Sequence, residues 1–157
     1  MKPILLYFLA VFCLLTGCKK ENTIESFYIK HKVDGVVKEY KIAVVASKNK
    51  IGNEYYFVLS GRRTLNTNQT IIVDFADGSP IVERTYQQND NFEYHIAYGD
   101  ENNNLYTTQK VTNPQVNVTI TKLSGSTVRG SFSGRVYDDI GNKYVTITEG
   151  EFYAGLQ

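Results

Sequence analysis

Apolar and polar residues alternate with a period of two along most of the chain after residue 26. The clearest runs place every second side chain in an apolar set: Ile71, Val73 and Phe75; Tyr94, Ile96 and Tyr98; Val116, Val118 and Ile120. Such alternation is typical of strands with one buried face. Turn-forming residues separate the runs, and no helical period is present there. The sequence therefore predicts one all-β domain of roughly nine or ten short strands, an antiparallel β-sandwich, with a lipocalin-like β-barrel as the alternative.

The first predicted hairpin is centred on Asp34-Gly35, a dipeptide that favours a two-residue type I′ turn. This turn fixes the register of the two strands. The expected pairs are Val33 with Val36, His31 with Lys38, Lys30 with Glu39, Ile29 with Tyr40, Tyr28 with Lys41 and Phe27 with Ile42. One face is then apolar and the other carries opposite charges, which supports the register. A short helix over residues 40–48 is the alternative for the second half.

The last predicted hairpin turns through residues 139–142 and sets Val136 opposite Val145. Beyond it, the apolar positions change from odd numbers, such as Ile147, to even numbers, such as Phe152. One extra residue would return both sets to the same face. The sequence therefore predicts a β-bulge near Glu149-Gly150, where glycine tolerates the irregular backbone.

The N-terminal segment has a different pattern, because Lys2 is followed by an apolar run from Ile4 to Leu15. Twelve helical residues rise about 18 Å, which is too short for a bilayer core of about 30 Å. A basic start, a short apolar run and small residues at its exit are typical of a secretory signal. We expect a signal peptide over residues 1–17.

The stretch Leu15-Thr16-Gly17-Cys18 resembles a bacterial lipobox. The resemblance implies that the Cys18 sulfur carries a diacylglycerol and that cleavage leaves Cys18 as the first mature residue. Residues 18–26 are then a lipidated cysteine and short tether, and residues 27–157 are the β domain. Acyl chains contribute about 0.8 kcal/mol per buried CH₂, so two or three of them hold a protein on a membrane.

Further stretches, Val33-Asp34-Gly35, Gly130-Ser131-Phe132 and residues 148–152, resemble small Bacteroidota-type lipoproteins of uncharacterised function. The resemblance implies an outer-membrane location, on the periplasmic face or at the cell surface. In such proteins, a lysine and acidic residues after the cysteine can direct surface export; here Lys19-Lys20-Glu21 supplies one acid. The resemblance implies no activity.

Charge and cysteine content exclude several classes of chemistry. Cys13 leaves with the signal and Cys18 is used by the lipid, so the mature domain has no thiol for a disulfide, metal or nucleophile. Residues 19–50 carry eight lysines and four acids, whereas residues 51–157 carry eight basic and twelve acidic residues. The mature net charge is zero, which argues against a nucleic-acid partner.

Candidate chemical sites are weak, and we expect no catalytic residue, metal or cofactor. His31 and His95 each stand alone in sequence, and a site would form only if the sheet brought them together. Asp100, Asn102 and Asn104 have calcium-ligand spacing, but Leu105 replaces the required glycine and Val111 the final glutamate. Asp138-Asp139 with Asn142 fits an ordinary turn. The stretch Gly130-Ser131-Phe132-Ser133-Gly134 has Phe132 where a nucleophile elbow needs serine.

The most promising contact is Arg62-Arg63, in a long predicted loop over residues 61–69. Loops on a rigid sheet commonly carry binding residues. We therefore expect a lipid-anchored, non-enzymatic accessory or binding module of the cell envelope, with an unidentified protein or small-molecule partner. A carrier of a small apolar ligand, with a barrel cavity, is the alternative. A hydrolase with dispersed carboxylates is a third.

Overall fold

The structure, a computed structural model, describes residues 25–65, 68–88, 94–109, 111–138 and 140–157. These residues form eleven strands and no helix. The predicted signal peptide, Cys18, Phe92 and Asp139 lie outside the described residues. The strands are β1 Tyr28–Val33, β2 Val36–Tyr40, β3 Ile42–Ile51, β4 Glu54–Arg62, β5 Thr70–Asp77, β6 Thr85–Gln87, β7 Tyr94–Gly99, β8 Leu105–Thr107, β9 Asn117–Leu123, β10 Thr127–Asp138 and β11 Lys143–Leu156.

All eleven strands of the described chain belong to one sheet, in the order β2-β1-β11-β3-β4-β5-β7-β8-β10-β9-β6. A further pairing of β10 with β11 closes seven of them into a ring: β11, β3, β4, β5, β7, β8 and β10. The predicted all-β class is confirmed. A single sheet that returns on itself around a shared core is consistent with both predicted descriptions, the sandwich and the barrel.

One pairing departs from the predicted antiparallel arrangement. The end of β11 runs parallel to β3, with Gly155 beside Val45 and Leu156 beside Ala46. This contact joins the last residues of the chain to an early strand, so no local pattern predicts it.

The β1–β2 hairpin has the predicted register from Val33 opposite Val36 to Ile29 opposite Tyr40. Asp34 and Gly35 have φ angles of 46° and 84°, which a type I′ turn requires. The predicted pairs beyond Tyr40 are wrong. β2 ends at Tyr40, and Ile42 pairs with Arg62 of β4 instead of Phe27. The pairing of Tyr28 with Tyr153 of β11 lies on the other edge of β1. The alternative helix over residues 40–48 is also wrong, because β3 begins at Ile42.

The β10–β11 hairpin is the longest element, and its predicted register is confirmed at Val136 opposite Val145 and Gly134 opposite Ile147. Both neighbours of β11 shift register beside Glu149 and Gly150, which confirms the predicted bulge. The positive φ of 51° belongs to Glu149. Gly150 is needed for space instead, since a Cβ there would lie 2.3 Å from the Phe132 carbonyl oxygen.

The inner face of the sheet holds a continuous core of aromatic and branched side chains. Each predicted inward run is buried, including Ile71, Val73 and Phe75, each at most 2% exposed. The largest fully buried side chains are those of Tyr40, Tyr86, Phe57, Phe75, Phe152, Ile29 and Leu59. Large side chains therefore fill the interior that the ring of strands surrounds.

Candidate functional site

Four connections gather at one end of the sheet, which we call the loop end: residues 34–37, 62–69, 100–105 and 138–144. The ammonium of Lys38, which directly follows the first connection, lies 3.0 Å from the Glu101 carboxylate of the third. The Lys143 ammonium lies 3.7 Å from the Asp34 carboxylate, which joins the first and fourth connections. Gly99 lies against the Asn68 carbonyl, where any Cβ would be only 2.0 Å from the oxygen. The loops are thus held together at a common surface.

Arg62 and Arg63, the predicted contact residues, both lie exposed at the loop end. Arg62 ends β4 opposite Thr70, and the backbone N–H of Arg63 donates to the Gln69 carbonyl oxygen over 3.1 Å. The connection is therefore shorter than predicted, and residues 66 and 67 lie outside the described chain. Neither guanidinium forms an ion pair with a described residue. Their role in binding stays a prediction.

Exposed apolar side chains accompany these arginines at the loop end. They are Val36, Val37, Leu65, Leu105, Ile140 and Tyr144, each at least half exposed. Ile140 is 91% exposed at the tip of the longest hairpin. Apolar side chains grouped at one surface are typical of an interaction site. The sequence missed this grouping, because the six residues come from four separate connections.

A buried aromatic cluster lies beneath this end, with His31 at its centre. The His31 ring stacks on Tyr40 at 5.5 Å between centroids and contacts Tyr98 edge-on at 5.8 Å. Its Nε2 lies 3.3 Å from the Tyr40 hydroxyl oxygen, whereas Nδ1 is buried without a hydrogen-bond partner among the described residues. Burial lowers the pKa of His31 to about 4 and raises the pKa values of Tyr40 and Tyr98. These groups are therefore neutral at pH 7.

The second histidine lies on a different strand and has a partner that the sequence analysis missed. His95 of β7 is directly opposite Asp74 of β5, with Nδ1 3.1 Å from a carboxylate oxygen. Twenty-one positions separate the two residues, so only the strand register reveals the pair. His31 is buried inside the sheet against Tyr98 of β7, whereas His95 lies on the outer, half-exposed face of the same strand, so the described structure does not bring the two histidines together at one site.

The carboxylates considered as calcium ligands form turns. Asp100 accepts hydrogen bonds from the backbone N–H groups of Asn102 and Asn104, at 2.8 and 2.9 Å. The Asp138 carboxylate accepts from the backbone N–H groups of Ile140 and Gly141, at 3.0 and 2.9 Å. Within the described ranges, no group of three or more His, Cys, Asp or Glu side chains is placed to hold a metal ion.

Two surface clefts are lined by charged side chains that neutralise one another. The first, about 340 Å³, contains Asp77 and Arg84, whose carboxylate and guanidinium lie 2.5 Å apart. The second, about 390 Å³, lies over the bulge and contains two ion pairs. They are Lys32–Glu149 at 2.6 Å and Lys30–Glu151 at 3.6 Å.

The serine stretch that imitates a nucleophile elbow lies within β10. Phe132, at its centre, is 3% exposed and pairs with Gly150 of β11. A nucleophile elbow needs a sharp turn between a strand and a helix, and this segment is continuous strand. It therefore packs the core.

No known protein-family model matches the chain, and a search of curated protein sequences gives no match. The described residues include no helix that is long and apolar enough to cross a bilayer. The fold defines the class of the protein: an all-β domain whose described strands form one sheet.

Proposed function

We propose that this chain is a lipid-anchored, non-enzymatic protein of the bacterial outer membrane whose β domain binds a partner through the loop end. The lipobox-like stretch Leu15-Thr16-Gly17-Cys18 supports the anchor. It follows a run too short to span a membrane, and it places a cysteine where a diacylglycerol would be attached.

The observation that carries the binding function is the separation between the start of the domain and the tip of the β10–β11 hairpin, which belongs to the loop end. Phe27 packs on Tyr153 at 5.0 Å between ring centroids, near the end of β11. β11 begins at Lys143, next to the loop-end residue Ile140. The ten residues between Lys143 and Tyr153 span roughly 33 Å at 3.3 Å per residue. A tether at the N-terminus therefore leaves the tip of the β10–β11 hairpin, with the exposed side chains of Ile140 and Tyr144, facing away from the anchor. Arg62 and Arg63 lie nearer the start of the domain, because Gly61 packs against Ile29.

The filled interior favours a binding module over the alternative, a carrier of a small apolar ligand. Aromatic side chains such as Phe57 and Phe152 occupy the space inside the ring of strands. A carrier would need an apolar cavity of about 300 Å³ or more. We expect a fluorescent fatty-acid probe to show no saturable binding, and saturable binding with 1:1 stoichiometry would favour the carrier.

The anchor is tested by Cys18→Ala, with Cys13→Ala as the matched control. We expect Cys18→Ala to abolish the mass increase from diacylglycerol and to move the protein out of the membrane fraction. Cys13→Ala should change neither, because that residue is removed with the signal. Membrane fractionation of Cys18→Ala at the normal level would reject lipidation at this residue.

The binding surface is tested by photo-crosslinking in intact envelopes. A photoreactive amino acid at Leu65, in the loop end, should give a discrete crosslinked product that the double variant Arg62→Glu/Arg63→Glu loses. The control position is Val82, which is also exposed but follows β5 at its far end. The same product from Val82, or an unchanged product in the double variant, would contradict the proposal.

A further inference from the structure

An aromatic and basic surface lies where the described chain begins. It consists of Phe27, Tyr28, Lys122, Arg129 and Tyr153, and we call it the N-terminal face. Four of its residues follow a continuous cross-strand row: Lys122 opposite Arg129, Arg129 opposite Tyr153, and Tyr153 opposite Tyr28. The row crosses β9, β10, β11 and β1 on the outer side of the sheet.

Contacts within this surface hold it in place. The Arg129 guanidinium lies over the Tyr153 ring at 3.8 Å from its centroid. It also donates two hydrogen bonds to the Glu25 carboxylate, one of 2.8 Å. Phe27 packs edge-on against the Tyr153 ring and is itself 38% exposed. Glu25 and Phe27, at the start of the described chain, are thus bound to Arg129 and Tyr153 of this face.

Tyrosine, phenylalanine, lysine and arginine are the side chains that favour the interface between water and lipid. Lys122 is exposed and forms no ion pair with a described residue. Around the face and tether there are five basic residues and four acids: Lys19, Lys20, Lys30, Lys122 and Arg129 against Glu21, Glu25, Glu83 and Glu151. The resulting charge of +1 does not oppose approach to anionic headgroups.

The length of the tether limits which part of the domain can reach the membrane. Seven residue steps separate Cys18 from Glu25. Fully extended, they span at most about 25 Å. The N-terminal face begins at the end of this tether, whereas Ile140, at the tip of the β10–β11 hairpin, lies a further β11 length away.

We propose that the N-terminal face lies against the lipid headgroups of the membrane that holds Cys18, which orients the domain on its anchor. This inference rests on the proposed lipid anchor. Contact is made mainly by the aromatic rings of Phe27, Tyr28 and Tyr153, and Lys122 adds attraction to anionic lipids.

The chain contains no tryptophan, so a single substitution creates a unique fluorescent reporter. The full lipidated chain is reconstituted in phosphatidylcholine vesicles that contain lipids brominated near the headgroup. Tyr153→Trp reports on the N-terminal face. Ile51→Trp reports on the end of β3, and Ile140→Trp reports on the tip of the β10–β11 hairpin. Ile51 and Ile140 are 65% and 91% exposed.

We expect bromolipid quenching of Tyr153→Trp to be at least about twofold stronger than quenching of the other two reporters, because interfacial aromatic rings lie at headgroup depth. Equal quenching of Ile51→Trp would mean that the end of β3 contacts the membrane as closely as the N-terminal face does. No quenching of Tyr153→Trp would mean that the N-terminal face does not contact the membrane. Either result overturns the proposed orientation when mass spectrometry shows diacylglycerol on Cys18. An unmodified Cys18 would instead reject the anchor, and the orientation with it.

A charge variant provides the second readout. In vesicles that also contain phosphatidylglycerol, Lys122→Glu should lower the quenching of Tyr153→Trp, whereas Lys143→Glu, beside the tip of the β10–β11 hairpin, should not. Equal effects of the two variants would contradict a specific role for the N-terminal face.

Discussion

Gly35 illustrates how one residue determines the shape of a hairpin. Its φ angle of 84° lies in the region that residues with a side chain rarely adopt, and a Cβ would meet no atom within 4 Å. Backbone strain, not crowding, is therefore the reason for glycine at this position.

We predict that Gly35→Val lowers the free energy of unfolding by about 1 kcal/mol or more, because a β-branched residue at positive φ is strained. Gly78→Val is the matched control, since Gly78 has open space around it and no positive φ. Urea unfolding measures both. Equal changes in the two variants would contradict the strain argument.

His31 is a second residue whose environment determines its chemistry. Burial lowers its pKa to about 4, below the value of 6.5 expected in an unfolded chain. Nearby Lys38 also disfavours the protonated form. Between these pH values the unfolded chain binds more protons, so acid favours unfolding.

We predict that stability is fully present above pH 6.5 and falls as the pH drops toward 4, by up to about 3 kcal/mol from this residue. His31→Phe should remove this component, because phenylalanine keeps the ring and cannot be protonated. The measurement is the urea midpoint of both proteins across this pH range. Parallel curves for wild type and variant would show that His31 is not the group responsible.

At the scale of elements, the β10–β11 hairpin depends on close backbone approach at glycines. A Cβ on Gly150 would lie 2.3 Å from the Phe132 carbonyl oxygen, and one on Gly130 would lie 2.0 Å from the Thr119 carbonyl oxygen. Because backbone atoms cannot move aside like a side chain, any larger residue must shift a strand.

We predict that Gly150→Ala and Gly130→Ala each destabilise the domain by about 2 kcal/mol or more, as expected for overpacking against a backbone. Gly125→Ala, in an open turn, should change the stability by less than about 0.5 kcal/mol. Thermal and urea unfolding of the three variants test this. A tolerated Gly150→Ala would mean that the strands do not approach so closely.

The elements show what local sequence can and cannot predict. The Asp34-Gly35 turn determined the register up to Ile29 opposite Tyr40, because a two-residue loop leaves one way to align the strands. Beyond Tyr40 the prediction failed. There β3 begins, and β4, which is distant from β1 in sequence, supplies Arg62 as the partner of Ile42.

For the whole molecule, β10 and β11 close the sheet, and each has neighbours on both sides. β6, in contrast, is a three-residue strand at one edge. Strands in the centre of a sheet open only with the global unfolding of the domain, whereas edge strands open locally.

We predict that the slowest amide hydrogen exchange occurs in β10 and β11, and that β6 exchanges at least about tenfold faster, following their different opening free energies. Exchange measured by NMR or mass spectrometry on the native protein tests this. If β6 were as protected as β10, the ring of strands would not be the most stable part of the fold.

The arrangement of the molecule also explains why the candidate surfaces were only partly predicted. Arg62-Arg63 was recognisable from its position in a polar connection. The exposed apolar side chains around it come from four connections, and the N-terminal face comes from four strands. Such surfaces exist only after the strands pair.

The sequence by itself determined the all-β class, the inward face of the clearly alternating strands, the first turn and the bulge at Glu149-Gly150. These features follow from side-chain alternation and local backbone preference, which act over a few residues. Only the tertiary structure decided the closure through β10 and β11, the parallel contact of β11 with β3, the His95–Asp74 pair and the burial of His31. Those features depend on contacts between distant segments, whose formation is driven by burial of a common core.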